Sequence, residues 1–351
     1  MTLQTLHASR TRIPVEARGP LSENLIALLE GDPHARPDSL PALARDAAGA
    51  SDPIRDDEVQ LSLFLLYAIA YGSLDQAGAE WEWHVDLIAA RTELERAFEA
   101  EVRARTVVPD APLPRREDVA ETLFALTAPT PGPSLSRFVA RKADRAQVVE
   151  LLIQRSIYTL READAHSWAI PRLTGRAKAA LMEIQADEYG GGDVDRMHQE
   201  LYARAMRHAG LDASYGTYVD RVPAITLASF NLMTMFGMNR RLRGAAVGHL
   251  AAFEMTSSIP CRFIAEGLRR VGFDEVVADY YDEHVEADAV HEQIAGRDLA
   301  GSLAEDEPEL LGDILFGAAA CLTIDGWAGD HILDAWEAGR SSLRDPRKAG
   351  A

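Results

Sequence analysis

The sequence predicts an all-α protein, a seven-helix bundle preceded by an N-terminal helical extension. Three observations carry that expectation. Of 351 residues, 47% are hydrophobic and 26% charged, enough apolar material for a large core and too little charge for a disordered chain. Between its Pro and Gly breaks nearly every segment repeats its apolar residues at helical spacing, and alternating β-branched runs are few. The clearest breaks, Pro33 to Pro53, Pro109 to Pro114 and Pro129 to Pro133, are rich in Pro, Asp and Ala. The last sets a boundary: residues 1–129 form an N-terminal helical accessory region and 130–351 the bundle domain.

The extension carries helices over about 21–30, 57–72, 76–105 and 116–126. In the second, Leu61, Leu63, Leu65, Leu66 and Tyr67 make a stretch apolar on most sides, more than a solvent-facing helix should carry. It serves either to join two copies in a homodimer or to cover the bundle. The bundle helices follow over about 144–168, 174–189, 194–209, 222–241, 243–258, 273–300 and 307–339. The triple glycine 190–192 ends the second of these, and Asp193 is placed to cap the third. Facing helices of such a bundle can supply ligands to an interior site.

Against 36 Lys+Arg stand 55 Asp+Glu, a formal charge of −19 that repels phosphate backbones and anionic lipid, so neither nucleic acid nor membrane is expected as a partner. Cys261 and Cys321 cannot build a disulfide framework and stand in no C-x-x-C spacing, which argues for a reducing compartment. The opening MTLQTLHASRTRIPVEARGP lacks the apolar run of a signal peptide. The longest apolar stretches, around Leu61 to Tyr71 and Ile314 to Ile324, fall short of the ~20 residues that span a bilayer. A cytoplasmic location is expected.

The strongest local feature is YDEHVEADAVHE, Tyr281 to Glu292. At about 100° per residue, His284, Asp288 and His291 fall within roughly 60° of one another on the apolar stripe of Val277, Tyr280 and Ala295, so they should point inward. Burying them is costly without a metal or a partner, although an acidic surface helix with incidental histidines is the plainer alternative. In AKAALMEIQADEYGGG, Glu188 shares a face with Ala177, Leu181 and Ile184, whereas Glu183 and Asp187 lie off it. A straight helix would place His198 about 80° from Glu188, so the glycine break is what lets both reach one site. Glu254 follows Val247, Leu250 and Ala251 on one face. Glu162 lines up with Val148, Leu151 and Tyr158, where Arg155 on the same stripe offers a plain salt bridge instead. His166 and His249 are better read as supporting or structural.

Four carboxylates and three histidines on inward faces of successive helices suit two divalent ions, with carboxylates bridging and imidazoles terminal. Calcium would not take the histidines, nor structural zinc so many acids, which leaves iron or manganese. Seven side chains do not fill the roughly twelve positions around two octahedral ions, leaving room for dioxygen and substrate.

In this order, Glu162, then Glu188 26 residues on, His198 ten further, Glu254, and after thirty more the H-x-x-x-D-x-x-H of His284, Asp288 and His291, the chain resembles the haem-oxygenase-like diiron oxidases and oxygenases. The resemblance covers about residues 130–340, and the D-E-Y-G-G-G run and the last-helix motif are its specific elements. In that family the first core helix supplies a glutamate, the next a glutamate and a histidine, and the last an aspartate with one or two histidines. Glu254 matches an additional carboxylate of N-oxygenating members, and carbon-directed members can also carry an acid from this region.

The resemblance implies a haem-free seven-helix bundle holding two irons, with manganese fitting the same donors, on Glu162, Glu188, His198, Glu254, His284, Asp288 and His291. It also implies O2 as co-substrate, room for an external electron donor, and a small amine or amino-acid-like substrate. That substrate is oxidised at nitrogen or, alternatively, desaturated or cleaved at carbon. Two other readings stay open: a non-catalytic metal-binding helical protein, and a metal-free enzyme with Cys261 as nucleophile, which has no convincing acid–base pair around it in sequence.

Overall fold

The computed structural model describes residues 15–31, 39–74 and 77–345, the side chains of 286–289 excepted. Helix follows helix, with no strand among the described residues. The extension contains α1 (Pro20–Leu29), α2 (Leu40–Ala48), α3 (Asp57–Ala70), α4 (Val85–Arg105) and α5 (Arg116–Thr127). Then come α6 (Leu135–Arg141), α7 (Arg145–Thr159), the single turn α8 (Asp164–Ser167), α9 (Gly175–Glu188), α10 (His198–His208) and α11 (Ala224–Met238). The chain continues through α12 (Arg243–Arg270), α13 (Glu275–Gln293), a π-helical stretch Ile294–Gly301, α14 (Ser302–Asp306) and α15 (Leu311–Glu337).

Side-chain caps fix several starts: Asp56 accepts from the Val59 amide, Asp144 exchanges bonds with Gln147 in a capping box, and Asp274 accepts from Val277. Where boundaries differ from expectation, local chemistry gives the reason. α2 lies inside the expected break between Pro33 and Pro53, with Pro41 in its first turn, where a missing N–H costs nothing. α4 starts at Val85 rather than near 76, and α6 is an additional helix capped by Ser134. The helix expected over 144–168 stops at Thr159, and the chain turns through Ala163, whose φ of 70° is left-handed, before α8. α12 does not end near 258 but runs through Pro260 to Arg270; the proline removes one helical hydrogen bond, and packing on α13 and α15 holds the helix together. The expected helix 273–300 is α13 followed by the π-helical stretch.

α12 and α15 form the closest pair, and glycine makes the approach possible. A Cβ on Gly248 would stand 1.8 Å from the Ile314 carbonyl oxygen, and one on Gly317 2.0 Å from that of Ala245. The segment Pro308–Glu337 is long and apolar enough to cross a membrane by length and composition, which its Ile314 to Ile324 stretch alone does not suggest. Most of that window is buried inside the bundle. Every residue of α3 from Val59 to Ile69 is buried, against α1, α4 and α11. The apolar surface that argued for a second copy is thus covered within the chain. One apolar cluster runs from Leu21 of α1 to Ile324 of α15, and a second gathers Val139, Leu151, Tyr202, Leu268, Tyr280 and Trp336.

Candidate metal centre

Five elements place carboxylates and imidazoles at one point inside the bundle. Glu162 sits in the turn after α7 and is 4% exposed. Glu188 is the last residue of α9, followed by Gly190, Gly191 and Gly192, all at positive φ. A Cβ on Gly190 would come within 2.7 Å of the backbone at Arg196 and Met197, so a side chain there is excluded both by space and by conformation. This tight reversal brings His198, the first residue of α10, back to Glu188, with His198 Nδ1 2.9 Å from Glu188 Oε2. Glu254 comes from the middle of α12, and His284 and His291 stand seven residues, two turns, apart on α13.

These side chains form two groups. In each, the ligand atoms lie within 4.8 Å of one another: Glu162, Glu188, His198 and His284 in one, Glu188, Glu254 and His291 in the other. Glu188 belongs to both, its Oε2 toward His198 and its Oε1 3.7 Å from His291 Nδ1. Glu254 Oε2 lies 3.3 Å from the same His291 nitrogen. The structure therefore gathers six of the seven residues expected from the sequence. Asp288 lies on α13, but its side chain is outside the described residues.

Supporting bonds aim the imidazoles. His284 Nδ1 donates to the Tyr280 carbonyl oxygen at 2.8 Å, which fixes the tautomer and turns Nε2 inward. Nε2 then lies 3.4 Å from Glu162 Oε1 with no hydrogen bond, buried, and the His198 Nδ1 contact is equally out of line for one. Inward nitrogens facing carboxylates in this way are a donor set shaped for cations. His291 Nε2 donates to Asp187 Oδ2 at 3.0 Å, which directs Nδ1 at Glu188 and Glu254. Tyr280 Oη donates to both oxygens of Glu162, at 2.8 and 2.9 Å.

The electrostatics agree. Burial opposes charge on His284, yet Glu162 outweighs it and holds the imidazole well above its ordinary range. Burial also opposes charge on Glu162, which is nevertheless held low, chiefly by His284. Burial, with the Glu188 carboxylate adding to it, pushes Glu254 up. Metal-free, the cluster offsets part of its negative charge with protons on His198 and His284; cations would displace them.

One further expectation is corrected. No ion pair joins Arg155 to Glu162 among the described residues, because α7 ends between them and the turn carries Glu162 away. His166 and His249 lie in neither ligand group; they bond to each other, Nε2 to Nδ1 at 3.1 Å. Tyr189 is held by Asp164 and Ser167. Helical periodicity set Asp187 aside as off the inward face, and only the arrival of His291 from α13 gives it a role.

The sequence profile of the iron-containing redox enzymes matches residues 149–326, the span from α7 into α15. A nitrosourea synthase from Streptomyces achromogenes subsp. streptozoticus is 27% identical over 172 residues, which are 49% of this chain and 36% of that protein. The chain thus spans little more than a third of the length of this curated relative. A CADD-like protein of unknown function from Nostoc punctiforme superposes with a TM-score of 0.49 at 16% identity, over 62% of this chain and 97% of that one.

Proposed function

Because the chain belongs to the iron-containing redox enzymes, we propose that it is an O2-dependent, non-haem diiron oxygenase that oxidises nitrogen in a small amine or amino-acid-derived substrate. The observation that carries the reading is Glu188, one carboxylate shared by two ligand groups. Glu162, Glu188, His198 and His284 would hold one ion, and Glu188, Glu254 and His291, with Asp288 from the same helix, the other. The mixed oxygen and nitrogen donors suit iron and manganese alike, and the family supports iron. When bound, the irons supply dioxygen activation and the redox chemistry.

The chain's own residues position and insulate. Tyr280 holds the Glu162 carboxylate, Asp187 and the Tyr280 carbonyl fix the two imidazoles of α13, and burial of the ligands keeps water out. Tyr158, whose hydroxyl is pushed far up by burial and by Glu162, Glu188 and Glu254, stays a neutral donor beside the carboxylates. Hydroxylating an amine nitrogen with O2 needs two electrons and two protons and releases one water, so an external electron donor completes the reaction. Support for nitrogen as the target comes from the additional carboxylate Glu254 and from the relative's name, a nitrosourea being a product with oxidised nitrogen.

The test is anaerobic loading with ferrous iron, metal analysis, then oxygen and a reductant with a panel of amines. Two irons per chain and an N-hydroxy, nitroso or nitro product are expected. An alkene or a cleaved fragment would move the chemistry to carbon, and two tightly held irons without oxygen consumption would make the metal structural.

A further inference from the structure

In the two ligand groups, Glu162 alone is carried by a turn rather than by a helix, and the segment 159–165, TLREADA, has no glycine or proline to shape that turn. Ala163, directly after the ligand, stands at φ 70°, a left-handed conformation that alanine keeps only where its surroundings enforce it. Two local backbone bonds close the turn, from Arg161 N–H to the Tyr158 carbonyl at 2.7 Å and from Asp164 N–H to that of Arg161 at 3.1 Å. The rest of the constraint comes from side chains on two sides.

One side is α9. Gln185 Nε2 donates to the Ala163 carbonyl at 2.8 Å and to Ser167 Oγ at 2.6 Å, and Tyr189 Oη donates to Asp164 Oδ1 at 2.8 Å. Gln185, Glu188 and Tyr189 follow one another at helical spacing, so the same turn of α9 that presents the shared carboxylate also grips the turn of Glu162.

The other side is the N-terminal extension, and Arg161 reaches it. Its Nη1 donates to Asp164 Oδ2 at 3.2 Å and its Nη2 to Ser73 Oγ at 2.6 Å, while the guanidinium lies 4.9 Å from the ring centroid of Tyr215 and 5.7 Å from that of Tyr71. Ser73 is a fixed anchor. Gly72 ends α3 at φ 62°, and the Ser73 and Gly72 amides bond back to the Ala68 and Ile69 carbonyls at 2.9 and 3.0 Å, the Schellman arrangement. Tyr71 is tied to α11 by Thr234 Oγ1 at 3.3 Å and by the ring of Phe230. The Arg161 and Asp164 side chains keep 24% and 22% exposure, so their ion pair adds little stability; what it sets is direction.

We propose that Arg161 is a positioning residue for the centre: tied to Ser73 of the extension and to Asp164 of the turn, it holds the Glu162 carboxylate in register with Glu188. The extension is then part of the framework of the metal centre as well as a cover for the bundle. The proposal rests on reading the two ligand groups as ion sites. It is selective, because only the group of Glu162, Glu188, His198 and His284 depends on this turn, whereas Glu254 and His291 are carried by α12 and α13.

Titration of the full-length chain with Co(II) under argon, followed by calorimetry and by the visible absorption of the bound ion, reads both groups without turnover. The parent should bind two ions. Arg161→Gln should weaken one of them by about 10-fold or more and leave the other within about twofold, with a melting temperature close to the parent's. Arg161→Lys, which reaches one anchor at a time, should recover part of the loss. Ala163→Gly combined with Arg161→Gln should also recover part, because glycine holds a positive φ unaided. Ser73→Ala should weaken the same ion by roughly fivefold, the worth of one hydrogen bond, and decides the matter if Arg161→Gln does not fold. In a His284→Ala background, where the Glu162 group has already lost a donor, adding Arg161→Gln should change the remaining ion by less than about twofold. Unchanged affinity for both ions, or equal weakening of both, overturns the positioning role. A parent that binds one ion, still weakened by Arg161→Gln, would uphold the role and remove the two-metal reading instead.

Discussion

Two pairs of histidines are buried in this bundle, and their neighbours make them opposites. His198 and His284 face Glu188 and Glu162, and their carboxylates hold both rings above the ordinary imidazole value against the opposition of burial. His166 and His249 face each other and the rings of Phe253 and Phe236. With no carboxylate to answer it, burial wins: His166 is pushed down to about 4, and His249 well below its usual value, with His166 adding to the effect. Burial of a histidine therefore marks no site by itself. The acids around it decide whether an imidazole is a potential ligand or a polar member of the core.

The largest effect that separates the two pairs should come from the shared carboxylate. Glu188→Ala removes a donor from both ligand groups, so iron content should fall below one per chain and turnover by about a thousandfold or more. His166→Phe should leave iron content and its spectrum as in the parent. A loss of iron in His166→Phe comparable to that in Glu188→Ala would erase the distinction. A smaller effect is expected outside the ligand set: Asp187→Asn keeps the shape but weakens the bond that orients His291. Affinity for one of the two irons should drop by about 10- to 100-fold, with the other unchanged, in a titration followed by absorption. Equal weakening of both would mean that Asp187 acts through the fold.

The same contrast explains what was legible in the sequence. The α13 spacing puts His284 and His291 on one inward face because a seven-residue step nearly closes two helical turns. The triple glycine announces a reversal, and the 2.9 Å contact of His198 with Glu188 is its consequence. Periodicity puts Glu162 on the inward stripe only by running α7 past Thr159, where the helix ends. The turn at Ala163 has no glycine to mark its left-handed backbone, so nothing local warns that Glu162 and Arg155 part, one toward the ligands and the other into a cavity. α12 running through Pro260 and the pairing of Asp187 with His291 are products of tertiary packing, which local periodicity does not contain. The apolar surface of α3 was visible, but whether a second copy or the chain itself covers it depends on where α11 and α1 pass.

The smallest effect is invisible at neutral pH and grows only with acid. An unfolded imidazole titrates near 6.5, whereas folded His166 does so at about 4 and His249 also lies below its unfolded value. Between those values the unfolded state binds protons that the folded state refuses. The stability these rings contribute is therefore fully present above about 6.5 and is lost as the pH falls toward about 4. For His166 alone the loss between about pH 7 and about pH 5 is roughly 2 kcal/mol. The pair His166→Leu and His249→Leu exchanges a neutral, mutually bonded couple for apolar groups, a change that need cost little at neutral pH. Urea unfolding of chelated protein should show the double variant less sensitive to acid than the parent by at least that amount. Because the carboxylate–imidazole cluster titrates identically in both proteins, it cancels in the difference. Parallel stability–pH curves would show that His166 and His249 take up protons in the folded state after all, and the opposition between the two pairs would fail.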